Sequence, residues 1–118
     1  MTTVSSRKTV QLGQVRPSDT TPTALYSPAN RDRCTIHNII ICNTTSSSTT
    51  YRIFVDEDGT TVDQTTAIAY DIPILGNTTD TWEIELYMND PAGRLSVATG
   101  TGNALTFTAN GEDGSVAY

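Results

Sequence analysis

The chain has 118 residues, of which 17% are charged and 36% hydrophobic, and its formal net charge is −6. That length suits one domain with one core. With 7 Lys and Arg against 13 Asp and Glu, no basic cluster exists to neutralise a row of phosphates, so nucleic acid is not an expected partner.

Residues 1–8 are polar and patternless, and predict an N-terminal arm ordered by a partner, followed by a domain over 9–118. Val10 to Val15 predicts a first strand, interrupted by Gly13, and Thr23 to Tyr26 a second. Arg16-Pro17-Ser18-Asp19 and Ser27-Pro28-Ala29-Asn30 read as turns around the second. Cys34 to Asn43 predicts the strongest strand. Its first half alternates, and its second half is apolar on both sides. A strand apolar on both faces is covered on both. The outer face of a two-layer sandwich meets water. Ile39 and Ile41 therefore point to a subunit interface, or to cover from a loop or arm.

Asn43 to Thr50 is a polar loop, and Tyr51 to Val55 predicts a strand with Tyr51, Ile53 and Val55 on one face. Asp56-Glu57-Asp58-Gly59 predicts a hairpin turn. Thr66 to Leu75 puts Ile68, Tyr70, Ile72 and Ile74 on one face, and Pro73 places that strand at an edge or a bend. Trp82 to Met88 alternates most cleanly, with Trp82, Ile84, Leu86 and Met88 inward and Glu83, Glu85 and Tyr87 outward. Breakers at Asn89–Gly93 and Gly100–Asn103 flank a short strand marked by Leu95 and Val97. Leu105, Phe107 and Ala109 mark the next strand. Asn110–Gly114 reads as a turn before a last segment, Val116–Tyr118.

No window shows the period of an amphipathic helix, and the abundant threonine is β-branched and favours strands. Strands at about ten-residue spacing predict an all-β, single-domain antiparallel β-sandwich, jelly-roll-like, with about 8–9 short strands.

Candidate chemistry is sparse. Cys34 and Cys42 on one strand would lie about 26 Å apart, beyond the ~7 Å reach of a disulfide, and read as small buried hydrophobes. His37 is the single histidine, set mid-strand rather than at a loop end, so no triad and no zinc set forms around it. Glu83 and Glu85 lie ~6.6 Å apart along one strand, a spacing met in glycosidases, yet a domain this small has little room for the cleft they need. Asp56, Asp58 and Asp63 resemble half of a calcium loop. Phe54 and Thr65 stand where an EF-hand needs oxygen ligands, so only a looser cation site is left open. Gly100 and Gly102 lie between strands and make no phosphate loop. Asn43-Thr44-Thr45 and Asn77-Thr78-Thr79 match the N-glycosylation pattern and read instead as turns. No segment approaches the ~20 apolar residues of a membrane span, and residues 1–8 lack the apolar core of a secretion signal, so synthesis in a cytoplasm is expected.

The run Thr23-Ala24-Leu25-Tyr26-Ser27-Pro28, then Ile36-His37-Asn38-Ile39-Ile40-Ile41-Cys42-Asn43-Thr44, resembles small all-β virion proteins of tailed bacteriophages. Tyr51–Val55, Tyr70-Asp71-Ile72-Pro73-Ile74 and Trp82–Tyr87 continue the pattern, so the resemblance spans most of 10–109. It implies a virion structural protein without catalytic residues or cofactor, located in the virion. It further implies a capsid decoration (cement) subunit, a homo-oligomer with a trimer favoured, whose partners are the major capsid protein or other virion proteins. A tail, neck or fibre component, receptor-binding ones included, is the alternative, and a sugar- or calcium-binding module the next. The candidate interface residues are His37, Ile39, Ile41 and Tyr87.

Overall fold

The computed structural model describes residues 5–28, 33–88 and 92–116, and the side chains within 10–28, 34–88 and 92–112. Its strands are β1 (Ser5–Val15), β2 (Thr23–Tyr26), β3 (Arg33–Asn43), β4 (Thr49–Asp56), β5 (Ala67–Ile74), β6 (Thr79–Met88), β7 (Arg94–Thr99) and β8 (Leu105–Val116). The pairs β1·β8, β2·β7, β3·β6 and β4·β5 are all antiparallel. The chain therefore folds in half about the segment between β4 and β5. The four nested pairs then go alternately to two sheets, ordered β1-β8-β3-β6 and β2-β7-β4-β5. Pairs β3·β8 and β4·β7 close the roll. This is an eight-stranded jelly roll. Among the described residues no helix is long and apolar enough to cross a membrane.

Three sequence expectations change at strand boundaries. Residues 5–8, read as arm, continue β1, with Ser5 opposite Val116; residues 1–4 lie outside the described residues. Asn110–Gly114, read as a turn, lies inside β8, so the last two expected strands are one. Gly111 is needed there because a Cβ would sit 2.0 Å from the Thr35 carbonyl oxygen. The glycine marks a close approach of two strands, which is its other use in a sheet. Third, β4 and β5 are joined not by a tight hairpin but by a longer loop over 57–66 that ends in a 3-10 turn at Gln64–Thr66. The expected turns at 29–30 and 89–91, and the segment 117–118, lie outside the described residues.

The sandwich interior holds Ile36, Ile39, Ile41, Tyr51, Ile53, Leu95, Val97, Leu105 and Phe107, among others. β3 reaches it by an irregular route. Ile36 pairs with Gly111 and Asn38 with Asn110, so β3 holds one more residue here than β8. On the other side Ile36 pairs with Leu86 and Asn38 with Glu83, so β6 holds one more again. The extra residue in β3 is His37. It is a β-bulge, which bends the strand and increases its twist. Inward positions are Cys34 and Ile36 before it, Ile39 and Ile41 after it. β5 behaves alike. Tyr51 pairs with Ile72 and Ile53 with Ala69, leaving Tyr70 and Asp71 opposite Arg52 alone. Asp71 takes a left-handed φ of 52°. Ile72 and Ile74 consequently face in, while Ile68 and Tyr70, expected on the same face, are turned out and exposed. As Pro73 predicts, β5 is an edge strand.

Tyr51 links the two sheets. Its ring, 1% exposed, stands edge-on to Phe107 of β8, with centroids 6.4 Å apart. Its hydroxyl accepts a hydrogen bond from Trp82 Nε1 at 2.7 Å and donates one to Asp80 Oδ2 at 2.9 Å, both on β6. Burial, offset in part by the Trp82 bond and reinforced by Asp80, pushes the hydroxyl pKa up to about 12.

One end of the sandwich is sewn shut. Asn43, 1% exposed, donates through Nδ2 to the carbonyls of Ser47 and Leu75 and accepts through Oδ1 from Thr45. Thr44 N–H donates to Ala104 O, Asn77 N–H to Thr45 O, and Asn103 N–H to Pro17 O. The four connections β1–β2, β7–β8, β3–β4 and β5–β6 are thereby linked in a row, each to the next. Gly76 allows one of these contacts, since a Cβ there would lie 2.3 Å from Ser46 backbone. The serine- and threonine-rich loop is thus ordered by its own hydroxyls and amides. The Asn43 side chain is spent inside, in agreement with reading Asn43-Thr44-Thr45 as a turn.

Two outcomes follow for Tyr51. Tyr51→Phe strips a partner from both Trp82 and Asp80, and should cost about 1–3 kcal/mol in urea unfolding. The unfolded tyrosine loses its proton near pH 10 and the folded one near 12. Wild-type stability should therefore fall between about pH 10 and pH 12, because the unfolded state sheds its proton first. Tyr51→Phe should lose that component of the fall; an unchanged alkaline profile in the variant would count against the assignment.

Candidate interaction surfaces

The outer face of the β1-β8-β3-β6 sheet is shaped by the His37 bulge. A bulge places two successive side chains outward, here His37 and Asn38, where regular pleating would turn one of them in. His37 Nε2 lies 2.7 Å from Glu112 Oε2 of β8. Asn110 Nδ2 donates to Asn38 Oδ1 at 2.8 Å, and Gln14 Nε2 to Thr108 Oγ1 at 2.9 Å. These cross-strand pairs give the face a polar ladder. Beside it β6 turns out Thr79, Thr81, Glu83, Glu85 and Tyr87. Tyr87 is 68% exposed, and its hydroxyl donates to Glu85 Oε2 at 3.0 Å, which raises the hydroxyl pKa above the usual tyrosine range.

The structure separates the four expected interface residues. His37 and Tyr87 reach the outer face. Ile39 and Ile41 do not: both are 0% exposed and belong to the sandwich core. Their assignment to a subunit interface is corrected, and the bulge is the reason. A single inserted residue exchanges the two faces of a strand from that point on. The half-buried outward residues of this stretch are Ile40 and Cys42. Cys34 and Cys42 both lie on β3, the first buried and the second half-buried.

The aspartates of the β4–β5 loop serve the loop itself. Asp56, 1% exposed, accepts from the N–H of Asp58 at 3.1 Å and of Thr61 at 2.7 Å. Asp58 accepts from Thr60 N–H, which with its other hydrogen bonds holds its carboxyl down to about 2. Asp63 accepts from Thr65 N–H and caps the 3-10 turn. Asp56 and Asp58 lie side by side and share Thr61 as a donor, while Asp63 serves the 3-10 turn. Among the described residues no three His, Cys, Asp or Glu side chains are placed to hold a metal ion. Glu83 and Glu85 both sit exposed on the outer face of β6.

A second cluster was not legible in the residue pattern. Arg52 bonds Asp71 through Nε at 2.7 Å and through Nη2 at 3.2 Å, and its guanidinium lies 4.0 Å from the centroid of the Tyr70 ring. The bulge in β5 makes this possible, since it brings Tyr70 and Asp71 against one residue of β4. Arg52 holds the Asp71 carboxyl below the usual range. Beside the pair lies a depression of about 290 Å³ lined also by Thr20, Thr50, Ala98, Thr99 and Gly100. The signal available in the sequence was Pro73, which marks β5 as irregular without locating the bulge.

No protein-family model matches the chain, and no curated protein sequence matches it. Its fold does have solved counterparts. A chain from the crystal structure of the IBDV viral particle aligns over 98% of this chain and 31% of its own, at 14% identity and a TM-score of 0.54. A chain from the structure of infectious bursal disease virus, Gx strain, aligns over 99% of this chain and 32% of its own, at 10% identity and a TM-score of 0.50. A chain of the Tobacco streak virus coat protein dimer aligns over 91% and 85%, at 8% identity and a TM-score of 0.45. The present chain spans about a third of the length of the first two. At such identities the likeness is one of fold, and it rests on those two.

The correction at Ile39 and Ile41 has a direct test. Ile41→Ala should lower stability by about 2–5 kcal/mol, as truncation inside a core does. Ile40→Ala, one residue away on the outer face, should cost under about 1 kcal/mol. Urea unfolding midpoints of the two variants decide; equal losses would return Ile41 to the surface.

Proposed function

We propose that this chain is a structural component of a virus particle, a small jelly-roll subunit that works by packing against other virion proteins. Within that class the reading is a decoration (cement) subunit on the head of a tailed bacteriophage, acting as a homo-oligomer. The observation that carries the coarser reading is the agreement of the whole eight-strand roll, over 98% and 99% of this chain, with chains of a viral particle. Jelly rolls also build lectins and cupins, so fold alone does not assign a role. Two features of this molecule support a structural one. The aspartates of the β4–β5 loop accept hydrogen bonds from the loop's own backbone and so hold its shape. The tied end and its side-chain caps give short, stiff loops of the kind that tolerate dense packing.

The finer reading follows the resemblance in Ala24-Leu25-Tyr26 and Ile39-Ile40-Ile41-Cys42-Asn43-Thr44 to tailed-phage virion proteins. A part that binds only the assembled shell stabilises it by mass action. Antibody labelling of intact particles tests both levels. Label spread over the head is the expected result and supports decoration. Label at one pole would move the chain to the tail or neck. Particles without label would overturn the virion reading altogether.

A further inference from the structure

A sandwich of two open sheets has four edge strands, here β1, β6, β2 and β5. An edge exposes a row of unpaired backbone N–H and C=O groups, and proteins blunt such edges with short strands, proline, lysine or bulges. Three of the four edges combine two such devices. β1 includes Arg7 and Lys8 and shifts register around Leu12. β2 has four residues and a register shift of its own. β5 carries Pro73 and the left-handed Asp71.

β6 carries only one, the extra residue between Glu83 and Leu86 where it pairs with β3. It is ten residues long, Thr79–Met88, with no proline, glycine, lysine or arginine. Its burial alternates without a break along the whole strand, even where it runs opposite the His37 bulge. Among the described residues its outer edge pairs with no strand. Its inward side chains Trp82, Ile84 and Leu86 are only partly buried against the core, so an apolar strip continues to the rim. Its outward row holds Glu83 and Glu85.

We propose that the β6 edge is a docking site for an extended segment of another protein, added as a further strand and alternating apolar with basic residues. The apolar side chains of that segment would cover Trp82, Ile84 and Leu86. Its basic side chains would stand across from Glu83 and Glu85, where opposite charges stabilise and like charges do not. The same charge rule disfavours a second copy of this chain at the edge, because β6 against β6 adds acid to acid in a protein of net charge −6. That the segment belongs to another virion component rests on the function proposed above; the edge and its charge preference do not.

The test uses labelled peptides of about eight residues, one alternating valine with lysine and one valine with glutamate. Anisotropy should show binding of the basic peptide, and amide hydrogen exchange should slow along β6. The double variant Glu83→Lys/Glu85→Lys changes only exposed side chains. It should reverse the preference between the peptides by about tenfold or more, the size of two cross-strand charge pairs. Binding that ignores peptide charge, or protection that appears away from β6, overturns the proposal. So does self-association of the free protein through β6 in sedimentation velocity, which would make a second copy the occupant. Because the peptides are free in solution, their failure leaves the particle-labelling result standing, and the reverse holds too.

Discussion

One inserted residue governs how this sandwich is filled. Without His37 as an extra step in β3, the isoleucines that now face Tyr51 and Phe107 would face the solvent. The insertion is not isolated. Around Asn110 and Gly111, β8 uses the fewest residues, β3 one more and β6 one more again. β1, on the other side of β8, also holds one extra residue, Leu12, and bulges of this kind bend strands and increase their twist. The hydrogen bonds from Tyr51 of β4 to Asp80 and Trp82 join β6 to the other sheet.

The sequence displayed the alternating strands and the outward row of β6, which rest on a local rule of period two, and the edge character of β5, which rests on the missing N–H of Pro73. It concealed what depends on neighbouring strands. The apolar run Ile39-Ile40-Ile41 looks two-sided when parity is counted straight through His37, and one-sided once the bulge is inserted. Ile68 and Tyr70 mislead for the same reason at Asp71. Asn110-Gly111 reads as a turn because both residues are common there. The carbonyl of Thr35, 75 residues or so earlier in the chain, is what makes glycine necessary. The Arg52–Asp71–Tyr70 cluster is a product of the same hidden irregularity.

The unusual composition also finds its place in three dimensions. Threonine, serine and asparagine collect at the tied end, where Asn43, Thr44 and Thr45 join loops that are distant in sequence. Acidic residues take several tasks. Asp56, Asp58 and Asp63 cap loop backbone, Asp71, Asp80 and Glu112 pair with side chains of neighbouring strands, and Glu83 and Glu85 stay exposed and set the charge of an edge. The outer faces are consequently unlike one another, one a polar ladder beside an acidic strand and the other an arginine-centred depression.

The pairing of Ser5 with Val116 brings the first and last described strands side by side. A roll of nested pairs has this property by construction, since each pair encloses all the pairs before it. The chain therefore enters and leaves the domain at one spot on the rim of one sheet. A unit with adjacent ends can be inserted into a loop of a larger polypeptide, or lifted out of one, without disturbing its own hydrogen bonds. The same architecture can thus serve as a free subunit or as one module of a chain three times as long.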